Sequence, residues 1–172
     1  MTLPSAIAPS QGANAASYEW ILDLAAVPVS PETEPSWIVY PDIKDVQPNA
    51  ADKTADGTTY ANKGQDDVAT IGETFTLALN AKLVKNSDGE VHPAMKLLLD
   101  AANSKLPGGD ATKKVIKARY YHYSVAELAY EFSAEVSWSR ANTGVADVEF
   151  LAVTLTSKGD RKVITNPALG EA

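Results

Sequence analysis

Apolar and polar residues alternate without a break from Tyr130 to Trp138. Tyr130, Phe132, Ala134, Val136 and Trp138 share one parity, and Glu131, Ser133, Glu135 and Ser137 share the other. Strand side chains change face at every residue, so this pattern predicts a strand with one buried and one wet face. Ser139–Gly144 follows with the Asn and Gly that a turn favours, and Asp147–Thr156 resumes with β-branched and aromatic residues. Together they predict a long antiparallel hairpin within Leu128–Gly159. Val68–Leu83 gives a second clean alternation. Ile71, Phe75, Leu77, Leu79, Ala81 and Leu83 fall on one side, interrupted by Glu73, and Thr70, Thr74 and Thr76 fall on the other. Gly72 leaves room for a bulge in so long a strand.

The remaining segments are shorter. Tyr18–Val27 reads as a strand; three prolines then forbid regular structure until Ser36–Tyr40, a short strand stopped by Pro41. Lys114–Tyr123 and Gly159–Ile164 read as two further strands. Pro93–Asn103 predicts the one helix, with Pro at its first position and Met95, Leu98, Leu99 and Ala102 as the stripe that would cover a sheet. Asp42–Asp67 has Ile43, Val46 and Tyr60 as its large apolar residues and carries six Asp against three Lys. It reads as a long loop, a class that is generally functional or mobile. Met1–Ala16 reads as an arm, either a free tail or a segment that orders against a neighbouring subunit, and Asn166–Ala172 as a C-terminal tail.

Bulk properties narrow the function. A chain of 172 residues suits one domain, and 45% hydrophobic content argues against global disorder. A net charge of −7 disfavours a basic surface that wraps nucleic acid. The absence of Cys removes disulfides, thiolate nucleophiles and Cys-ligated metal. The N-terminus lacks a signal-peptide pattern and no apolar run is long enough to span a membrane, so synthesis in a cytoplasm is expected.

A search for chemistry finds no assembled apparatus. His92 and His122 stand alone in their segments, which argues against a metal site. No nucleophile elbow or phosphate-cradling glycine motif is present. Asp52–Gly57 resembles a calcium loop only faintly, with Thr54 in a ligand slot and Lys63 where the distal Glu belongs. Glu131 and Glu135 are about 13 Å apart on a strand, too far for the usual carboxylate pair. Basic residues Lys113, Lys114, Lys117 and Arg119 lie near aromatics, a hint of nucleic-acid binding that the overall charge opposes. No cofactor is expected. Long two-faced strands, one covering helix, an acidic loop and two arms fit a subunit that assembles. A monomeric β-barrel with a small-ligand pocket at Tyr120–Tyr123, and a hydrolase without a recognisable motif, are the competing readings.

The order of segments also carries a family resemblance. Trp37-Ile-Val-Tyr-Pro-Asp-Ile-Lys44 leads into the long loop, followed by Asp56-Gly-Thr-Thr-Tyr-Ala-Asn-Lys-Gly64 and Gly72-Glu-Thr-Phe-Thr-Leu77. Leu97-Leu-Leu-Asp-Ala-Ala102 lies in the helix; Arg119-Tyr-Tyr121, Val148–Leu155 and Lys158-Gly-Asp160 complete the series. Over about residues 18–167 this resembles the major tail protein (tail tube protein) of long-tailed, non-contractile bacteriophages, the siphophages, particularly those of actinobacterial hosts. The resemblance implies a mainly β, β-sandwich or barrel-like fold with one flanking helix and a long inter-strand loop. It implies six copies in a ring, inner strands joined into a ring-wide barrel, and rings stacked into the tube through which DNA leaves the capsid. It implies a place in the virion tail, with the tape measure protein and the tail terminator and tip proteins as partners besides the chain itself. DNA would pass without specific binding. The loop position falls on Asp42–Asp67, with Ile43, Val46 and Tyr60 as inter-ring residues. The lumen would then be lined by Glu131, Ser133, Glu135, Ser137, Thr70, Thr74 and Thr76, since acidic and hydroxyl groups do not hold phosphate as Lys and Arg do.

Overall fold

In a computed structural model, residues 19–31, 33–59, 66–142, 144 and 148–170 are described. The fold is mainly β, with eight strands in one antiparallel sheet. They are β1 (Trp20–Ala26), β2 (Ile38–Val39), β3 (Ile43–Asp56), β4 (Val68–Lys82), β5 (Val115–His122), β6 (Ala129–Arg140), β7 (Phe150–Ser157) and β8 (Lys162–Val163). The sheet order is β2-β1-β5-β6-β7-β4-β3, and β8 pairs β6 beyond the end of β7.

Chain connectivity forces this sheet to curl. β2 lies at one edge and β3 at the other, yet only Tyr40, Pro41 and Asp42 separate them. Three linking residues reach about 14 Å, whereas seven strands laid flat would span about 29 Å. The two edges must therefore approach each other. Two contacts show that they do: the Tyr40 hydroxyl donates to the Lys82 carbonyl on β4 at 3.0 Å, and the Phe75 ring on β4 stacks on Tyr120 of β5 at 5.7 Å. The architecture is barrel-like, as the family resemblance implied.

The enclosed face holds the core. Leu22 and Leu24 of β1, Ile116 and Tyr120 of β5, Phe132 and Val136 of β6, Val153 and Leu155 of β7, and Leu77 and Leu79 of β4 are all buried there. The helix α1 (Pro93–Asn103) adds Ala94, Met95, Leu98 and Ala101 to the same core. Its boundaries are those the sequence pattern predicted. The buried stripe is rotated slightly from the predicted one, leaving Leu99 and Ala102 partly buried at its border. His92 is the N-cap: its Nδ1 accepts from the Ala94 N–H at 3.2 Å.

Past the helix the chain doubles back tightly. A Cβ on Gly109 would stand 2.4 Å from the Ser104 carbonyl oxygen, a distance no side chain tolerates. Gly109→Ala is expected to lower unfolding stability by about 1–3 kcal/mol, because backbone must move to admit one methyl. Urea denaturation checks this; an unchanged midpoint would show that the turn relaxes freely.

Two sequence-based expectations are corrected here. Asp42–Asp67 is not one long loop: its Ile43–Asp56 part is an edge strand of the sheet, paired with β4 from Ile43↔Ala81 to Asp56↔Val68. The calcium-like run Asp52–Gly57 accordingly lies mostly in a strand. Trp138 has the parity of the core but is 43% exposed, because β5 begins at Val115, opposite Glu135, and does not flank β6 beyond that point. Tyr60, the Met1–Ala16 arm and residues 171–172 of the C-terminal tail lie outside the described residues.

Candidate functional site

Two features remain unabsorbed by the core: the polar outer face of the sheet and the far half of the β3–β4 hairpin.

The polar face is assembled by register. Cross-strand partners share a face. Glu135 sits opposite Thr156, Thr156 opposite Thr76, and Thr76 opposite Asn49. The next row runs Ser137, Thr154, Ala78 and Gln47. Ser133 sits opposite Lys117, and Glu131 opposite Arg119. Glu131, Ser133, Glu135, Ser137, Thr74 and Thr76 thus share one continuous surface, joined by Thr154 and Thr156. These last two also alternate in the sequence, so their hydroxyls could have been read from it.

Thr70 does not join them. Between the pairs Lys53↔Gly72 and Thr54↔Thr70, β4 advances two residues while β3 advances one. Ile71 is therefore a bulge residue, and pairing with Thr54 puts Thr70 on the opposite face from Thr74 and Thr76. Strict alternation across Gly72 cannot reveal this flip. A second bulge, between Lys44 and Gln47, holds Asp45 at φ 55°, where its carboxylate accepts from the Asn80 amide at 2.8 Å.

The face is not the bare acidic wall that the β6 alternation alone suggests. Lys117 Nζ lies 3.3 Å from Glu131 Oε1, and Glu135 is held between Lys158 at 2.9 Å and Lys105 at 3.5 Å. Asp23, fully buried at this face's β1 end, binds Arg119 Nε at 2.6 Å, and that guanidinium lies 4.4 Å from the Trp37 ring centre. Every carboxylate among these has a cation supplied from another segment. The lysines are scattered over 53 residues of sequence, so their convergence is invisible without the fold. The Glu135 carboxyl is held below its ordinary value of 4.5, first by the Lys158 hydrogen bond, with the Lys158 and Lys105 charges assisting and burial opposing. A depressed carboxyl contributes stability above its unfolded pKa, and that contribution fades as pH falls through the folded value. Glu135→Gln is therefore expected to flatten part of the loss of Tm on acidification from about pH 5 to about pH 3. Parallel acid profiles for the two proteins would show that the cluster contributes nothing.

The second feature is a free ribbon. β4 pairs β7 only from Thr76 to Lys82, so among the described residues Val68–Phe75 has β3 as its sole strand partner. Residues 49–54 of β3 and 68–73 of β4 are all exposed, and Ile71 is 66% exposed. An isolated two-stranded ribbon is marginal in water. Pro48 fits because β3 is an edge strand whose outer N–H groups need no partner. Ile43 and Val46 are partly buried against the subunit's own core, at the start of β3. The exposed apolar side chains farther out are Val68 and Ile71.

The aromatic run Tyr120–Tyr123 does not converge on a pocket. Tyr120 is in the core beside a cavity of about 270 Å³ lined in part by Trp20, Pro48 and Arg161. Tyr121 points to the other face, where its hydroxyl donates to Asp23 at 3.2 Å, and Tyr123 is exposed. His122 has neighbours that mimic a hydrolytic triad, Ser124 and Glu19. Ser124 Oγ, however, donates to Glu19 at 2.9 Å, and the His122 Nδ1 lone pair already accepts the Ser124 N–H at 3.3 Å. The base needed to activate the hydroxyl is occupied; the cluster ties the start of β1 to the end of β5. Among the described residues no helix is long and apolar enough to cross a membrane.

No protein-family model matches the chain, and neither does any curated protein. Solved structures do match in fold. The SPP1 tail tube aligns at TM-score 0.61 with 9% identity over 92% of this chain and 87% of its own. A tail of an empty GTA particle, refined as a helix with C6 symmetry, aligns at TM-score 0.58 with 9% identity over 88% of this chain and all of its own. At such identity the likeness is one of fold, and in fold this chain is similar to tail tube subunits over nearly its whole length.

Proposed function

We propose that this chain is a structural virion protein whose copies form rings, six to a ring, that stack into a siphophage-type tail tube, the conduit for DNA ejection. The observation that carries this reading is the free ribbon: a long two-stranded extension with exposed Val68 and Ile71 that the described residues of the subunit leave uncovered, on a fold similar to tail tube subunits. Edge strands and exposed ribbons invite pairing with another chain, and a closed ring of copies removes such edges. The ribbon then contacts the next ring, and the polar face with Glu131, Ser133, Glu135, Ser137, Thr74 and Thr76 lines the lumen. Hydroxyls and amides there offer DNA no fixed charge. The lysines among them are engaged by carboxylates of the same subunit, which weakens their pull on phosphate. The tape measure, terminator and tip proteins are the partners such a tube requires, and its role is non-enzymatic. Purified protein should run on a sizing column as an assembling species and show rings or tubes in negative stain. A stable monomer at every concentration would instead favour a ligand-binding barrel.

A further inference from the structure

The ribbon needs something to set its direction, because it leaves the sheet where β4 loses its second neighbour. That loss has a visible cause. β7 ends at Ser157, opposite Ala134, and the chain resumes pairing with β6 at Lys162, opposite Glu131. The Lys158 N–H still bonds the Ser133 carbonyl of β6 at 2.7 Å, and Gly159–Arg161 then swings out of the sheet, with Gly159 at φ 88°. The detour delivers the Arg161 side chain to the place that β7 vacates. One guanidinium nitrogen donates to the Tyr120 hydroxyl at 3.0 Å and another to Glu73 Oε2 at 3.1 Å. The guanidinium carbon lies 4.6 Å from the Phe75 ring centre and 4.7 Å from that of Tyr130. Phe75 is the last buried residue of β4, and Glu73 is the first charged residue of the ribbon beyond it.

We infer that Arg161 is a positioning residue that clamps the base of the β3–β4 ribbon to the core and fixes the angle at which the ribbon projects. This rests on reading the ribbon as the contact between rings. Arg is suited to the task where Lys is not. Its planar fork bonds Glu73 and Tyr120 at once while its faces lie on two rings. It also accounts for Glu73, which breaks the apolar parity of its strand.

The test uses full-length Arg161→Ala, Arg161→Lys and Glu73→Gln subunits before and after assembly. Hydrogen exchange of the free subunit should show amides of residues 49–56 and 68–74 exchanging about tenfold faster in Arg161→Ala, with β5, β6 and β7 unchanged. Arg161→Lys and Glu73→Gln should fall between Arg161→Ala and the parent. Unchanged ribbon exchange in Arg161→Ala would overturn the inference, as would acceleration spread evenly over the whole sheet. Tube length separates the two layers of the argument. A loosened ribbon with short tubes supports both. A loosened ribbon with tubes of normal length keeps the clamp but removes the ribbon from the contact between rings.

Discussion

Replacing Asp52–Glu73 with a two-residue Asn-Gly turn is expected to leave a folded subunit that stops at single rings or short stacks. Tube length should fall by roughly tenfold or more, since every subunit in a ring loses the same contact. The fold should survive because none of the described residues among those replaced belongs to the core, whereas Phe75, the core residue at the ribbon's base, is retained. An Asn-Gly turn also suits the twist of the shortened hairpin. Circular dichroism and the unfolding midpoint check the first half of the expectation, and electron micrographs the second. Tubes of normal length from this variant would mean that the ribbon decorates the surface rather than joining rings.

The largest expected effect on DNA comes from reversing charge on the polar face. In Glu131→Lys with Glu135→Lys, each subunit loses two carboxylates and gains two ammonium groups. Lys105, Lys117 and Lys158 are released from their partners at the same time. Ring symmetry multiplies this by the number of copies. Assembled tubes of the variant should retain short duplex DNA at least tenfold better than the parent at low salt, with retention falling steeply as salt rises. DNA ejection through such tubes should be slowed. Weak retention equal to the parent's at every ionic strength would show that DNA never meets this face.

The residues show which parts of this picture a sequence can carry. The helix, the strand around Tyr130–Trp138 and the Phe75–Leu83 part of the strand before it were legible because one face of each is buried, which imposes the periodicity that reveals it. Ile43–Asp56 was not legible, for the same reason inverted. With both faces of its outer half in water it needs no apolar alternation, and Pro48 argues against a strand unless that strand is known to lie at an edge. The barrel closure was implicit in the short Tyr40–Asp42 link, but only once the strand order placed its two ends on opposite edges. Of the polar face, the β6 residues could be read directly, while Thr70 was misassigned because a bulge reverses parity. The neutralising lysines and Arg161 depend on contacts between distant segments. Arg161 meets Glu73 across 88 residues of chain, and no local pattern encodes that meeting.

Cryo-EM of the assembled protein tests the central claim most directly. The account predicts stacked rings in which Glu131, Ser133, Glu135, Ser137 and Thr76 face the central channel, with Val68 and Ile71 of each ribbon buried against the adjacent ring. A tube whose channel is lined by other strands, with Glu131 and Glu135 on the outer surface or within a dry subunit contact, would contradict it.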